Sequence, residues 1–135
     1  DMITGKDILQ DMYEAVKGLT DKTYLMERPA STSDNVSSFI VCKLPSVIFN
    51  NTIGSEDYNL YTSTAQFEIF IRDKVSSANI NAIDIMKMDK TVRALRNLFP
   101  ITGKSCMLTR PEETLVISDG KQFHCTIIQA RVITK

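Results

Sequence analysis

The sequence has few of the residues that bind phosphates and metals. Its 135 residues include five glycines, one histidine and three cysteines. The glycines are far apart, so the chain has no glycine-rich phosphate loop, although Gly103-Lys104-Ser105 resembles the end of one. A single histidine without a CxxC pair does not supply a structural zinc site. We therefore expect no cofactor and no bound metal.

An excess of charge and a long apolar run are also missing. Sixteen Lys and Arg side chains balance sixteen Asp and Glu side chains, and the sequence pI is about 6.8. A neutral chain has no overall field to attract nucleic acid or an anionic membrane. No apolar stretch approaches the ~20 residues of a membrane helix, and no secretory apolar segment opens the chain. We expect neither nucleic acid nor a membrane among its partners.

The residue patterns that support catalysis are weak. Cys42, Cys106 and Cys125 lie in apolar, strand-like segments, which predicts buried thiols in a protein folded in a reducing cytoplasm. Cys125 with His124 is the one adjacent nucleophile–base pair, but neighbours on a strand point to opposite faces, and we expect His124 on the outer face. The acidic pairs Glu56-Asp57 and Glu112-Glu113 lie in turn-like segments. These patterns do not predict an enzyme.

Two helices are predicted from apolar residues at helical spacing. The first follows a capping box of Thr4 and Asp7. Its apolar stripe comprises Ile8, Leu9, Met12, Tyr13, Val16 and Leu19, and its solvated face comprises Lys6, Asp11, Glu14 and Lys17. The second, longer helix is predicted to begin at a cap among Ser76, Ser77 and Asn79 and to end before Pro100. Its stripe comprises Ile85, Met88, Val92, Leu95 and Phe99, widened by Ile80 and Leu98.

The strands are predicted from β-branched and aromatic runs between turn residues. The predicted segments are Thr23–Arg28, Ser38–Phe49, Tyr58–Arg72, Ser105–Arg110, Leu115–Ile117 and Gln122–Ile133. Pro45 makes the second an edge strand or interrupts it, and residues 30–37 form a polar loop with too little bulk to pack. Asp119-Gly120 predicts a type I′ hairpin turn. After Gln122 the apolar residues change parity, which predicts a bulge or a strand that is covered on both faces.

Together these elements predict one α+β domain. Its order is α-β-β-β-α-β-β, with an antiparallel sheet of about four to six strands and two helices on one face. The second helix should pack on the face formed by Phe67, Ile69 and Ile71. Residues 50–57 are predicted to be the tip of a long hairpin.

The same order of elements resembles the tail-terminator, or tail-completion, proteins of tailed bacteriophages and prophages and related small neck proteins. The resemblance covers nearly the whole chain. It is carried by Arg28-Pro29, Phe39-Ile40-Val41, the strand Gln66-Phe67-Glu68-Ile69-Phe70-Ile71-Arg72-Asp73, and the closing run from Phe123 to Val132. It implies a non-enzymatic structural protein that forms a ring, commonly a hexamer, which caps the tail tube and faces the head connector. Its expected partners are its own copies, tail-tube proteins and connector proteins, within a virion assembled in the bacterial cytoplasm.

A ring of identical subunits needs two different, complementary patches on each subunit. We expect one patch at the hairpin tip, with Ile53, Tyr58, Leu60 and Tyr61, and the other on the outer face of the second helix, with Arg93 and Arg96. Two alternatives remain open. One is a small binding domain that holds an apolar ligand between helix and sheet, lined by methionines such as Met86, Met88 and Met107. The other is an enzyme whose site forms between subunits.

Overall fold

In the parts of the chain that the structure describes, two helices pack against a mixed sheet. This computed structural model describes residues 3–45, 49–51, 60–75 and 82–134, with only the backbone for 49–51 and 60–62. The elements are α1 (Gly5–Val16), β1 (Lys22–Leu25), β2 (Ser38–Lys43), β3 (Phe49–Asn51), β4 (Leu60–Arg72), α2 (Ile85–Arg96), β5 (Ile101–Thr102), β6 (Cys106–Glu113), β7 (Ile117–Ser118) and β8 (Phe123–Thr134). The predicted α+β class is confirmed.

The sheet is built around the pair β4 and β8. These strands pair antiparallel without interruption, from Thr62 opposite Ile133 to Arg72 opposite Phe123. The strand order is β1-β2-β4-β8-β6-β5, with β3 added to β4 and β7 added to β8. The expectation of a fully antiparallel sheet is wrong in one place, because β1 runs parallel to β2. A parallel pair needs a long crossover connection, and residues 26–37 supply it.

Both helices pack on one face of the sheet, as predicted. The core on this helix face includes Ile8, Met12 and Val16 of α1 and Met88, Val92 and Leu95 of α2. They pack with the sheet residues Ile40, Cys42, Ala65, Phe67, Ile69, Ile71, Cys106, Leu108, Ile128, Ala130 and Val132. The predicted capping box of Thr4 and Asp7 is present at the start of α1. Helical periodicity therefore identified the residues at the centre of the buried stripe of each helix.

The second helix is shorter than predicted. Both helices have 12 residues, and α2 begins after Asp84, whose carboxylate accepts a hydrogen bond of 3.2 Å from the Lys87 N–H. Ile85 is therefore in the first turn and is 66 % exposed, whereas Leu98 follows the helix and is 37 % exposed. Both were expected in the buried stripe. Phe99 packs at its margin, and the expected caps Ser76, Ser77 and Asn79, like Ile80, lie outside the described residues.

The opposite face of the sheet carries a second, aromatic cluster. Phe39, Phe70 and Phe123 are buried there, and the rings of Phe39 and Phe70 stack with centroids 4.5 Å apart. The crossover of residues 26–37 covers this back face, and its Val36 is only 7 % exposed. The expectation that residues 30–37 have too little bulk to pack is therefore wrong for Val36. Because both faces of β8 are covered by apolar side chains, its apolar residues change parity without a bulge in its pairing with β4.

Arg28 fastens the crossover to the back face. Its guanidinium carbon lies 4.6 Å from the centroid of the Phe70 ring, and its Nη1 is 2.7 Å from Asp119 Oδ2. The Asp119 carboxylate also accepts hydrogen bonds from the N–H groups of Lys121 and Phe123. The side chains of the Arg28–Asp119 ion pair are largely buried. The pair therefore joins the crossover both to the aromatic cluster and to the connection before β8.

Several predicted strand boundaries need correction. β2 ends at Lys43, before Pro45, and pairing with β4 resumes in β3. β6 continues through Pro111 because the chain bulges there, with Arg110 at φ 54°. Residues 119–122 form a four-residue connection in which Gly120 and Gln122 have positive φ, so Asp119-Gly120 is not a type I′ turn.

Placing a charge at the centre of the helix face should destabilise the domain. Val92→Asp is expected to lower the free energy of unfolding by more than about 3 kcal/mol, because an unpaired carboxylate would be buried between α2 and the sheet. Met86→Asp is the matched control, since Met86 is 80 % exposed on the same helix. Urea unfolding followed by circular dichroism measures both. Equal stability of the two variants would contradict this packing.

The Arg28–Asp119 pair should make the fold sensitive to acid. Burial raises the pKa of Asp119, but hydrogen bonds from Arg28, Lys121 and Phe123 outweigh it and hold the pKa below its usual value. The carboxylate therefore contributes stability above its unfolded pKa of about 3.9, and this contribution is lost as the pH falls through the lower folded value. Asp119→Asn should be less stable than the parent chain at neutral pH, and its unfolding free energy should fall less steeply below about pH 4. Urea titrations across this range measure the difference, and parallel curves would refute it.

Candidate interaction surface

The predicted hairpin is present at one end of the sheet. β3 pairs with the first residues of β4, with Asn50 opposite Tyr61 and Asn51 opposite Leu60. β2 pairs with β4 only from Gln66 onward, so the hairpin extends beyond the end of β2. Of the residues expected to form an interface, Leu60 and Tyr61 are described in their backbone alone. Ile53 and Tyr58 lie outside the described residues.

The two arginines predicted on the outer face of α2 have different partners. Arg93 pairs with Asp89 one turn earlier at 2.8 Å, and its side chain is 74 % exposed. A hydrogen bond from the guanidinium to Asp89 raises the pKa of Arg93. Arg96 instead reaches Glu113 of β6 at 2.8 Å. Arg93 is therefore held within the helix, whereas Arg96 links the helix to the β6 edge of the sheet.

Sequence reasoning missed a more apolar surface at that same edge. Leu115, Val116 and Ile117 are 86, 41 and 55 % exposed. Leu115 and Val116 lie between β6 and β7, and Ile117 is the first residue of β7. Both strands pair with β8. At the other edge of the sheet, Leu25 and Met26 are 43 and 42 % exposed. The only signal in the sequence was a run of three apolar residues that is not interrupted by a polar one. Such a run predicts a strand, but it does not predict that the side chains are exposed.

The single histidine is engaged with a buried carboxylate. His124 Nδ1 lies 2.5 Å from Asp73 Oδ1, and the Asp73 side chain is 1 % exposed. Thr126 and Ile128, at alternate positions beyond His124, contribute to the helix side of the sheet, so the expectation of an outer-face histidine is wrong. Cys125 lies in the back-face cluster, as predicted for a neighbour of His124 on a strand. Burial raises the pKa of the Cys125 thiol to about 12.

All three cysteines are buried and reduced in the structure. Burial raises the pKa of Cys42 to about 12, which suppresses formation of the reactive thiolate. The prediction of buried thiols is therefore confirmed.

Asp11 is a second buried carboxylate, and its predicted position on a solvated face of α1 is wrong. It is 7 % exposed and accepts hydrogen bonds from the N–H groups of Lys104, Ser105 and Cys106, at 3.1, 2.9 and 3.0 Å. A Cβ at Gly103 would overlap this carboxyl group. Asp11 therefore fastens α1 to the turn between β5 and β6. A neighbouring cleft of about 700 Å³ is lined by α1 and by residues 98 and 100–104.

The methionines proposed to line a ligand pocket are placed differently from one another. Met88 is 3 % exposed in the core, whereas Met86 is 80 % exposed on α2. Met107 is half-buried on β6.

The described residues contain neither a metal-binding cluster nor a helix that could span a membrane. Among those residues no group of three or more His, Cys, Asp or Glu side chains is arranged to hold a metal ion. The helices in the same part of the chain are too short and too polar to cross a membrane.

Comparison with known proteins places the fold but not the function. No family model matches the sequence, and no curated protein matches it. Among solved structures, 21 chains match. One of them, which carries no functional name, aligns with a TM-score of 0.63 at 10 % sequence identity, covering 99 % of this chain and 97 % of its own. This similarity shows a shared fold along almost the full length.

Removing the Asp11 carboxylate should destabilise the fold. Asp11→Ala leaves three backbone N–H groups without their acceptor, and we expect a loss of about 2 to 4 kcal/mol in unfolding free energy. Gly103→Ala should also destabilise, because its Cβ displaces the same carboxylate.

The two substitutions should not be additive, because the methyl group added at position 103 would no longer meet a carboxylate in the double variant. Glu14→Ala is the control, since Glu14 is exposed on the same helix and pairs only with near neighbours. Urea denaturation of the four proteins measures the cycle. Strict additivity would show that Gly103 and Asp11 do not interact in this way.

Proposed function

We propose that this protein is a non-enzymatic structural component of virion assembly in a tailed phage or prophage. In this role it forms a ring that caps the tail tube or joins the tail to the head. It is assembled in the bacterial cytoplasm, and it contacts its own copies, tail-tube proteins and connector proteins.

The observation that carries this proposal is the β3–β4 hairpin on a rigid base. Its second strand continues into the centre of the sheet, where Phe67 and Ile69 are fully buried. The hairpin base is therefore anchored by an eleven-residue pairing with β8. An arm anchored in this way can reach a neighbouring subunit without loosening the domain from which it extends.

The segments that carry the family resemblance are structurally central. Gln66–Asp73 covers the inner part of β4 and the residue after it, and Phe123–Val132 covers most of β8. Residues 66–72 of the first segment pair with residues 123–129 of the second. These two segments of the resemblance therefore belong to the framework of the sheet, although Arg28-Pro29 lies in the crossover. The framework segments support a comparison at the level of the whole domain.

A structural role also agrees with how the charged groups inside the fold are used. Asp11 holds a backbone turn, Arg28 and Asp119 fasten the crossover, and Asp73 pairs with His124. Each of these contacts joins segments distant in sequence, so these groups serve the rigidity of a domain that has to hold its shape in a larger assembly.

The proposal predicts binding to the end of a tail tube. The purified protein should bind the ends of tail tubes assembled from the tube protein of the same phage or prophage. Tyr58→Ala combined with Tyr61→Ala should weaken this binding at least about tenfold, because aromatic side chains commonly carry interface energy. Electron microscopy of tube ends and a sedimentation assay measure the binding.

Met86→Ala is the control variant, because it truncates an exposed apolar side chain that belongs to α2 and to neither strand of the hairpin. The double tyrosine variant should keep the melting temperature of the parent protein. If the double variant instead unfolds, the tyrosines belong to the core and not to an interface. If the parent protein does not bind tube ends, the tail-completion role is refuted.

A further inference from the structure

The two outer edges of the sheet carry exposed apolar side chains. β1 is the last strand on one side, where Leu25 and Met26 are exposed. On the other side β5 pairs only with Met107 and Leu108 of β6, so the edge beyond them is formed by residues 109–118. Exposed apolar side chains on an edge strand favour pairing with another strand. Both edges are thus candidates for the same kind of contact.

The two edges also lie at the same height in the sheet. Following the register from strand to strand, one row begins at Lys22 of β1 and ends at Ile117 of β7. A second row begins at Leu25 and ends at Glu113 of β6. β1 and the segment Glu113–Ile117 therefore occupy the same rows on opposite sides. A second copy placed beside the first, with its strands aligned, brings these two segments together.

Strand direction makes this contact antiparallel. β1 runs parallel to β2, and β2 runs in the same direction as β8, because both are antiparallel to β4. β6 and β7 run opposite to β8. The β1 edge of one copy and the β6–β7 edge of the next consequently run in opposite directions. If β1 were antiparallel to β2, the same placement would give a parallel contact, which is slightly less stable per residue.

Charge at the end of these edges is also complementary. Glu27 follows β1 closely, and Arg110 lies in the bulge of β6 at the corresponding end of the opposite edge. Both are exposed, and neither forms a salt bridge with another residue of the described ranges. An aligned neighbouring copy brings an acidic and a basic side chain to the same end of the contact.

We propose that β1 of one subunit, Lys22–Leu25, pairs antiparallel with Glu113–Ile117 of a second copy of this chain, so that the sheet continues from subunit to subunit. The contact is heterologous, since it joins two different edges, and such contacts generate rings when the rotation between subunits closes. This inference rests on the proposed ring-forming function. It assigns the subunit contact to the sheet edges, and it adds Leu25, Leu115 and Ile117 to the interface residues expected from the sequence.

A mixing experiment tests the proposal. One variant, Leu25→Asp, blocks the β1 edge, and another, Leu115→Asp with Ile117→Asp, blocks the β6–β7 edge. Each variant alone should remain monomeric at concentrations where the parent chain associates, because every contact needs both edges. An equimolar mixture should form a heterodimer and nothing larger, since it retains one intact pair of edges. Met86→Asp should assemble like the parent chain, and analytical ultracentrifugation distinguishes these outcomes.

A cross-linking variant keeps the test valid if an aspartate variant fails to fold. Lys22→Cys with Ile117→Cys places thiols on facing edges, and mild oxidation should give a ladder of covalent oligomers. Lys22→Cys with Met86→Cys should give no such ladder. The native thiols do not interfere, because all three are buried.

Failure of this inference differs from failure of the proposed function. The edge contact is refuted if the edge variants assemble or bind tube ends like the parent chain. It is also refuted if the mixture of variants forms no dimer. Both outcomes leave the tail role intact. If the parent chain associates through these edges but does not bind tube ends, the edge contact is supported and the proposed tail role is refuted. A parent chain that is monomeric both alone and at tube ends overturns the edge contact.

Discussion

The pairing of β4 with β8 is the contact on which the rest of the molecule depends. It joins residues about 60 positions apart over eleven successive pairs and places apolar side chains on both faces of the sheet. Because both faces are apolar, each needs a cover. The helices cover one face, and the crossover after β1 covers part of the other. The parallel β1–β2 pair follows from that second cover, since a chain that crosses the back face returns in the same direction.

Local patterns in the sequence were sufficient for the elements with one buried face. The stripes of α1 and α2, the capping box at Thr4 and the alternation of Phe67, Ile69 and Ile71 were all predictable, because periodicity reports directly on one-sided burial. The change of parity in β8 also carried correct information. It indicated a strand covered on both faces, although sequence alone did not separate this from a bulge.

Contacts between distant segments could not be predicted in the same way. Asp11 lies on a helix surface that periodicity describes as polar, and only the approach of residues 103–106 turns that position into a buried one. Val36 and Arg28 belong to the crossover of residues 26–37, whose role as a cover depends on the aromatic back face. Of the expected interface residues, the structure places the two arginines in different contacts, and it exposes the sheet edges instead. Exposure of an edge is a property of strand order, which no short run of residues encodes.

The hydrogen bonds that Asp11 accepts also determine when α1 can be fastened to the sheet during synthesis of the chain. Its backbone partners follow it by 93 to 95 residues, so α1 leaves the ribosome long before the turn that holds it exists. At translation rates of about 5 to 20 residues per second, this interval is roughly 5 to 20 s. β8, which completes the sheet beneath α1, is made later still. Contacts of such long range form slowly, because the entropy of closing the loop is lost before the contacts form. During this interval α1 lacks the backbone groups that hold Asp11, and these hydrogen bonds form only after residues 104–106 have left the ribosome.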